Sequence, residues 1–157
     1  MIGSDTDRLR RATKVVCYVV RDGHLLVLIH LDHPLTEVGV QVPAGTVKPG
    51  ETLRDAALRE AGEETGLTGL RVLRALGEAD DDIRPYRHEI MRRHFFLLRA
   101  DGVPVDPWVA GESDPEGGGP GPRWECRWIP LRHAHVLSGG LSLFVGSIVD
   151  DEALEIV

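Results

Sequence analysis

From Thr13 the chain runs TKVVCYVV, apolar and β-branched, and meets a second apolar run, LLVLIHL, across Arg21-Asp22-Gly23-His24. Asp-Gly between two apolar runs is a tight-turn signal, so these residues are expected to form a β-hairpin. A loop, LDHPLTEVG, leads to a short strand, VQVPAG, and a Gly/Pro connection, TVKPG. The pattern then turns helical. Thr52 can cap that helix with Asp55 three residues on, and Gly66 stands just past its end. LRVLRALG reads as a strand, EADDDIRPYRHE as a polar loop and IMRRHFFLLRA as a longer strand. Residues 111–122, GESDPEGGGPGP, are breaker-rich and are expected to be a mobile loop that closes over a site. RWECRWIPL alternates with period two, and a last helix is expected within Leu141–Leu154. No repeat and no linker divides the pattern. It predicts one α+β domain over residues 13–157, behind a polar, flexible segment at 1–12.

Composition narrows the class. The chain has 157 residues, 42% of them apolar and 27% charged, which fits one globular domain and excludes a collagen or a disordered chain. Its longest apolar runs fall far short of the ~18 residues of a membrane span. Two cysteines, Cys17 and Cys126, are too few for a disulfide framework, and the first residues carry no secretory pattern, so a cytoplasmic protein is expected. The net charge of −7 argues against a duplex nucleic acid as partner. A small anionic ligand, held locally, stays open. So does oligomeric state, a homodimer included.

The helix carries the chemistry. At 100° per residue Leu53, Ala56, Ala57 and Ala61 form an apolar arc, with Arg54, Asp55, Leu58 and Gly62 opposite. Glu60, Glu63 and Glu64 fall on the apolar arc, where mutual repulsion and desolvation oppose them. A hard divalent cation, Mg²⁺ or Mn²⁺, relieves both. Glu60 and Glu64, one turn apart, can ligate together. Arg59 can hold Glu63 at i+4, and Glu51 can reach back to that arginine. Gly45 and Gly50 suit a sharp turn whose backbone carbonyls complete a metal shell.

The stretch Gly45 to Leu67, GTVKPGETLRDAALREAGEETGL, resembles the Nudix box, Gly-x5-Glu-x7-Arg-Glu-aliphatic-x-Glu-Glu-x-Gly-aliphatic. Gly45, Glu51, Arg59, Glu60, Glu63, Glu64 and Gly66 match it, and only Ala61 is smaller than usual. Seven such identities coincide by chance roughly once in 10⁷–10⁸ windows. The resemblance implies a Nudix α/β/α sandwich, a mixed sheet flanked by helices. It implies a Mg²⁺- or Mn²⁺-dependent pyrophosphohydrolase acting on a nucleoside diphosphate linked to another moiety, such as ADP-ribose, a nucleotide sugar or a nucleoside triphosphate. A sensor on the same fold, binding nucleotide without turnover, is the alternative. Carried over by position, Glu60 and Glu64 are the primary metal ligands, Glu63 a further or water-mediated ligand and the Ala44 carbonyl a backbone ligand. Arg59 and Glu51 orient them. The general base is a box glutamate or a loop carboxylate, with Glu112, Glu116 and Glu89 as candidates.

Other residues have competing readings. Asp80, Asp81 and Asp82 are more simply a solvated acidic run than a second metal site. Arg84, Arg87, Arg92 and Arg93 can contact phosphates and Tyr86 can stack on a base, against the plainer reading of each as a surface residue. Trp124 and Trp108 are candidates for a stacking wall, and Trp128 for a core anchor. The substrate-binding set is taken as Arg93, Tyr86 and Trp124. The histidine pairs His30/His33 and His133/His135 lack matching cysteines, so zinc is not expected.

Overall fold

The structure is a computed structural model and describes residues 9–84, 87–101, 106–112 and 118–148. In strand β1 (Arg10–Arg21) the six residues from Val15 to Val20 are all buried, as in a central strand covered on both faces. Six further strands follow: β2 (His24–His30), β3 (Ala44–Thr46), β4 (Arg71–Asp82), β5 (Glu89–Arg99), β6 (Trp108–Gly111) and β7 (Arg123–Pro130). They form one mixed sheet in the order β4-β5-β1-β2-β7-β6. The β1–β5 pair is parallel from Arg10↔Glu89 to Val20↔Arg99, and the other pairs are antiparallel.

The expected hairpin forms, with Asp22 and Gly23 both left-handed at φ 48° and 72°. Only Val20↔Leu25 and Arg21↔His24 pair, however, before β1 and β2 part. The chain from Gln41 to Thr46 fills the gap. Gln41 exchanges both backbone hydrogen bonds with Leu28 of β2, at 2.7 and 3.0 Å, while β3 pairs with β1 from Lys14 to Val16. This wedge carries part of the site.

Alternation along the central strands splits the core into two layers. Val15, Cys17, Val19, Leu26, Leu28, Phe96, Leu98, Trp124 and Cys126 face helix α1 (Leu53–Thr65). Val16, Tyr18, Val20, Leu25, Val27, Phe95 and Leu97 face 3₁₀ turns at Leu131–Val136 and Gly139–Ser142 and a helical stretch at 145–148. The buried Tyr18 hydroxyl donates to the Leu141 carbonyl and accepts the Phe144 N–H at 3.2 Å, tying that second layer to the sheet. Helical elements on both faces of a mixed sheet make the α/β/α sandwich.

Three boundaries differ from the sequence reading. β1 begins at Arg10 because Arg10 to Thr13 already pair with β5, and residues 1–8 lie outside the described part. β4 runs on to Asp82, through residues expected to form a loop. Its acids face basic partners on β5, with Asp80–Arg92 at 2.9 Å, Asp81–Arg93 at 3.2 Å and Glu78–His94 at 3.3 Å, so cross-strand charge pairing overrides low strand propensity. The expected last helix is described only as the 3₁₀ turn and the stretch at 145–148, its remainder lying outside. Of the expected loop, Gly111 closes β6 and Glu112 donates its N–H to the Pro122 carbonyl at 3.1 Å, while residues 113–117 lie outside the described part.

Candidate active site

Helix α1 starts where Thr52 Oγ1 accepts the Asp55 N–H at 3.1 Å, and ends at Gly66, whose φ of 75° turns its N–H onto the Gly62 carbonyl at 2.8 Å. Its inner face is Ala56, Ala57 and Ala61, all fully buried. These small side chains let the helix settle on β1, with Cys17 Sγ 3.4 Å from the Ala57 carbonyl. The same approach presses Glu60 and Glu64 onto β3. Leu58, assigned to the outer side, also packs partly against this core.

Glu64 Oε1 accepts the Ala44 N–H at 3.0 Å. Burial, then the charges of Glu60, Glu112 and Glu63, push its pKa up to about 8 against that hydrogen bond. Glu60 is also pushed up, chiefly by burial, despite the Arg59 guanidinium beside it. A Cβ on Gly45 would lie 2.0 Å from the Glu60 carboxyl carbon. Gly45 is thus required to make room for Glu60, and the turn that needs a left-handed glycine is at Gly50, with φ 78°. Glu64 stands in the last turn of α1, where the macrodipole also disfavours negative charge.

Arg59 organises the outer side. Its Nε and Nη2 fork onto the two Glu51 oxygens at 2.7 and 2.9 Å, Nη1 reaches Glu60 at 2.8 Å, and Nη2 also donates to the Thr46 carbonyl at 3.0 Å. The fork and the Lys48 N–H hold the Glu51 carboxyl down at about 2. Glu63 differs from its neighbours. Its side chain is 58% exposed, with one oxygen 3.3 Å from Arg59 Nη1, so it stands at the margin of the arc and not within it.

These groups line a cleft of about 810 Å³, closed on the other side by His30, Gln41, Lys48, Glu112 and Trp124. His30, considered only as half of a zinc pair, and Gln41, which carried no local signal, meet through His30 Nε2 and Gln41 Oε1 at 3.0 Å because the wedge joins β2. Lys48 occupies a variable position of the motif. Glu112, one of the loop carboxylates considered, is brought to the cleft. Glu116 and Tyr86 lie outside the described residues. Glu89 pairs with Arg10, four residues before the β1 segment that meets β3.

Two of the tryptophans also hold the end of α1. Trp124 is 6% exposed, donates Nε1–H to the Glu64 carbonyl at 2.7 Å and tilts against His30. Trp108 donates to the Thr65 carbonyl at 2.8 Å. Both satisfy orphan carbonyls at the end of α1. Trp128 packs against the α1-side core. Arg84 and Arg92 are engaged with Asp82 and Asp80, and Arg93, paired with Asp81, also lines a second cavity beside the cleft.

The donor set suits a hard cation. Cys17 N–H bonds to the Pro43 carbonyl and Val47 N–H to the Thr13 carbonyl, so by antiparallel alternation Ala44 turns its peptide edge away from β1, toward Glu64. Two crowded, partly buried carboxylates and that carbonyl fit Mg²⁺, which is bound through one or two carboxylates and keeps several waters. Among the described residues no three His, Cys, Asp or Glu side chains form a group that could hold a metal ion by themselves.

Comparison with known proteins shows the family. A family model described as NUDIX domain matches residues 9–141. The chain belongs to this family, the Nudix hydrolases. Among solved structures it resembles a NUDIX hydrolase from Nitrosomonas europaea, with TM-score 0.64, 18% identity and coverage of 94% of this chain and 96% of that one. It also resembles a MutT NUDIX hydrolase from Burkholderia pseudomallei, with TM-score 0.59, 23% identity and coverage of 87% and 97%. A curated relative, an RNA pyrophosphohydrolase from Erythrobacter litoralis, is 31% identical over 87 residues, 48% of this chain. The chain spans about half of that relative's length, 53%. Among the described residues no helix is long and apolar enough to cross a membrane.

Proposed function

We propose that this chain is a divalent-metal-dependent pyrophosphohydrolase that splits the diphosphate bridge of a nucleoside diphosphate linked to another moiety. Water adds to one phosphorus, the bridging P–O bond breaks, and each product leaves with one of the two phosphorus atoms. The observation that carries this reading is the pair Glu60 and Glu64, partly buried together against Ala44 and Gly45 in the cleft. Bound there by Glu60, Glu64 and the Ala44 carbonyl, Mg²⁺ or Mn²⁺ would neutralise phosphate charge and polarise the reacting groups. The chain's own residues do the rest. Arg59, locked by Glu51, fixes the Glu60 rotamer, and Lys48 offers a cation to a bridging or leaving phosphate. Glu112 and Glu63 stand at the cleft edge as proton acceptors for the attacking water. A sensor without turnover has no need of carboxylates held at this cost, which favours hydrolysis over the binding-only alternative.

The test is a panel of ADP-ribose, nucleotide sugars, nucleoside triphosphates and 5′-triphosphorylated RNA with Mg²⁺, products being identified. Glu60→Gln and Glu64→Gln are expected to lower turnover at least a hundredfold while the proteins stay folded. Their metal-free melting temperatures should stay level or rise slightly, and stabilisation by added Mg²⁺ should shrink. Near-normal turnover in either variant, or a large loss of metal-free stability, would show these glutamates to be structural.

A further inference from the structure

Across β3 from the cleft lies a smaller cavity of about 270 Å³ that shares Gln41, Ala44 and Glu64 with it. Two cations stand on its sheet wall. Lys14 of β1 and Arg93 of β5 are register partners, so they project from the same face of adjacent strands, about 4.8 Å apart at the backbone. Among the described residues Lys14 has no carboxylate partner; its Nζ donates to Thr46 Oγ1. Arg93 is aimed by Asp81, which takes Nη2 at 3.2 Å from the outer side. Its Nη1 lies 3.3 Å from where a Cβ on Gly140 would be, so that glycine leaves space for the guanidinium. The other walls include Val16, Val42, Met91 and Leu141, and among the described residues no aromatic ring lines the cavity.

Among the described residues the cavity offers no ring for a base to stack on. Lys14 and Arg93, register partners that both line the cavity in a chain of net charge −7, fit a compact dianion. Glu64, on the shared wall, has one oxygen occupied by the Ala44 N–H. We propose that this cavity is a second anion subsite in which Lys14 and Arg93 hold an uncleaved phosphate monoester of the substrate. The preferred substrates are then diphosphates bearing a further phosphate near the bridge. This deepens the pyrophosphohydrolase reading and rests on it for turnover, but not for binding.

Binding is tested first, on the full metal-free chain, by calorimetry with ribose 5-phosphate and with ribose. The wild type is expected to bind the phosphate ester and not ribose. Lys14→Gln and Arg93→Gln should each weaken binding at least tenfold, and Arg93→Lys, which keeps the charge, should lose less than Arg93→Gln. Thermal melts establish that each variant is folded. Absent wild-type binding, or equal binding in wild type and both Gln variants, overturns the proposal. Turnover is then compared on pairs differing by one phosphate, such as NADPH against NADH and coenzyme A against its dephosphorylated form. The phosphorylated member should show at least tenfold higher kcat/KM, and Arg93→Gln should bring that ratio toward one. Equal kcat/KM within the pairs refutes the subsite. Phosphate binding without any turnover would instead count against the pyrophosphohydrolase reading and leave the subsite standing.

Discussion

Single residues set the site's geometry. The space above Gly45 is filled by the Glu60 carboxylate, so Gly45→Ala must displace that group by an ångström or more. Misplacement on this scale costs on the order of 100-fold in rate, and that loss is the expected outcome, with far-ultraviolet circular dichroism unchanged. Turnover within threefold of wild type would mean that the carboxylate has other productive positions. Glu64 makes a second prediction. Its folded pKa of about 8 lies above the ordinary carboxylate value of 4.5, so the folded chain binds more protons than the unfolded chain between those two values. Metal-free stability should therefore fall as pH rises from about 4.5 to about 8, and Glu64→Gln should flatten the decline. The groups responsible beside burial are Glu60, Glu112 and Glu63, opposed by the Ala44 N–H. Metal binding near pH 7 should release about one proton, measurable by calorimetry in buffers of different ionisation enthalpy. Stability that rises over this window would contradict the burial of Glu64.

At the scale of elements, the end of α1 is held by two indoles from β6 and β7 and not by a basic residue of its own last turn. Trp108→Phe and Trp124→Phe each remove a donor from an otherwise orphaned carbonyl, at an expected cost of about 1 kcal/mol in urea denaturation. Trp124→Phe should also lower kcat more than Trp108→Phe, because its partner is the Glu64 carbonyl. Equal effects on kcat would separate the indole from the metal side of the helix. These contacts show where the sequence was readable. The Thr52 cap, the Gly66 stop, the Asp-Gly hairpin and the period of β7 are local signals, and each corresponds to a formed element. The Arg59–Glu51 fork was legible because both residues lie in one motif. The indole contacts, the His30–Gln41 pair and the extension of β4 depend on which strands become neighbours, and no local pattern encodes that. Glu63 lines the cleft as expected, but it is more exposed than its position on the arc suggests. An ideal helical wheel assigns an arc by angle alone, whereas the edge of the β3 wedge decides which part of that arc is covered.

For the molecule as a whole, the topology has a kinetic consequence. The central pair β1–β5 is parallel, and its partners stand far apart in sequence, as in Arg10↔Glu89 and Val20↔Arg99. The β1–β2, β4–β5 and β6–β7 pairs close over short connections, while this one closes a long loop before any contact rewards it. Glu60 and Glu64 meet Ala44 only once α1 and the wedge have docked on β1, so the ion-binding arrangement belongs to the last stage of assembly. Added Mg²⁺ should then slow unfolding and leave the refolding rate nearly unchanged in stopped-flow denaturant jumps. Faster refolding with Mg²⁺ would place the carboxylates together before the rate-limiting crossing. On that outcome, an ion bound after folding would work as a latch: it would set how long the finished chain lasts and not how soon it forms.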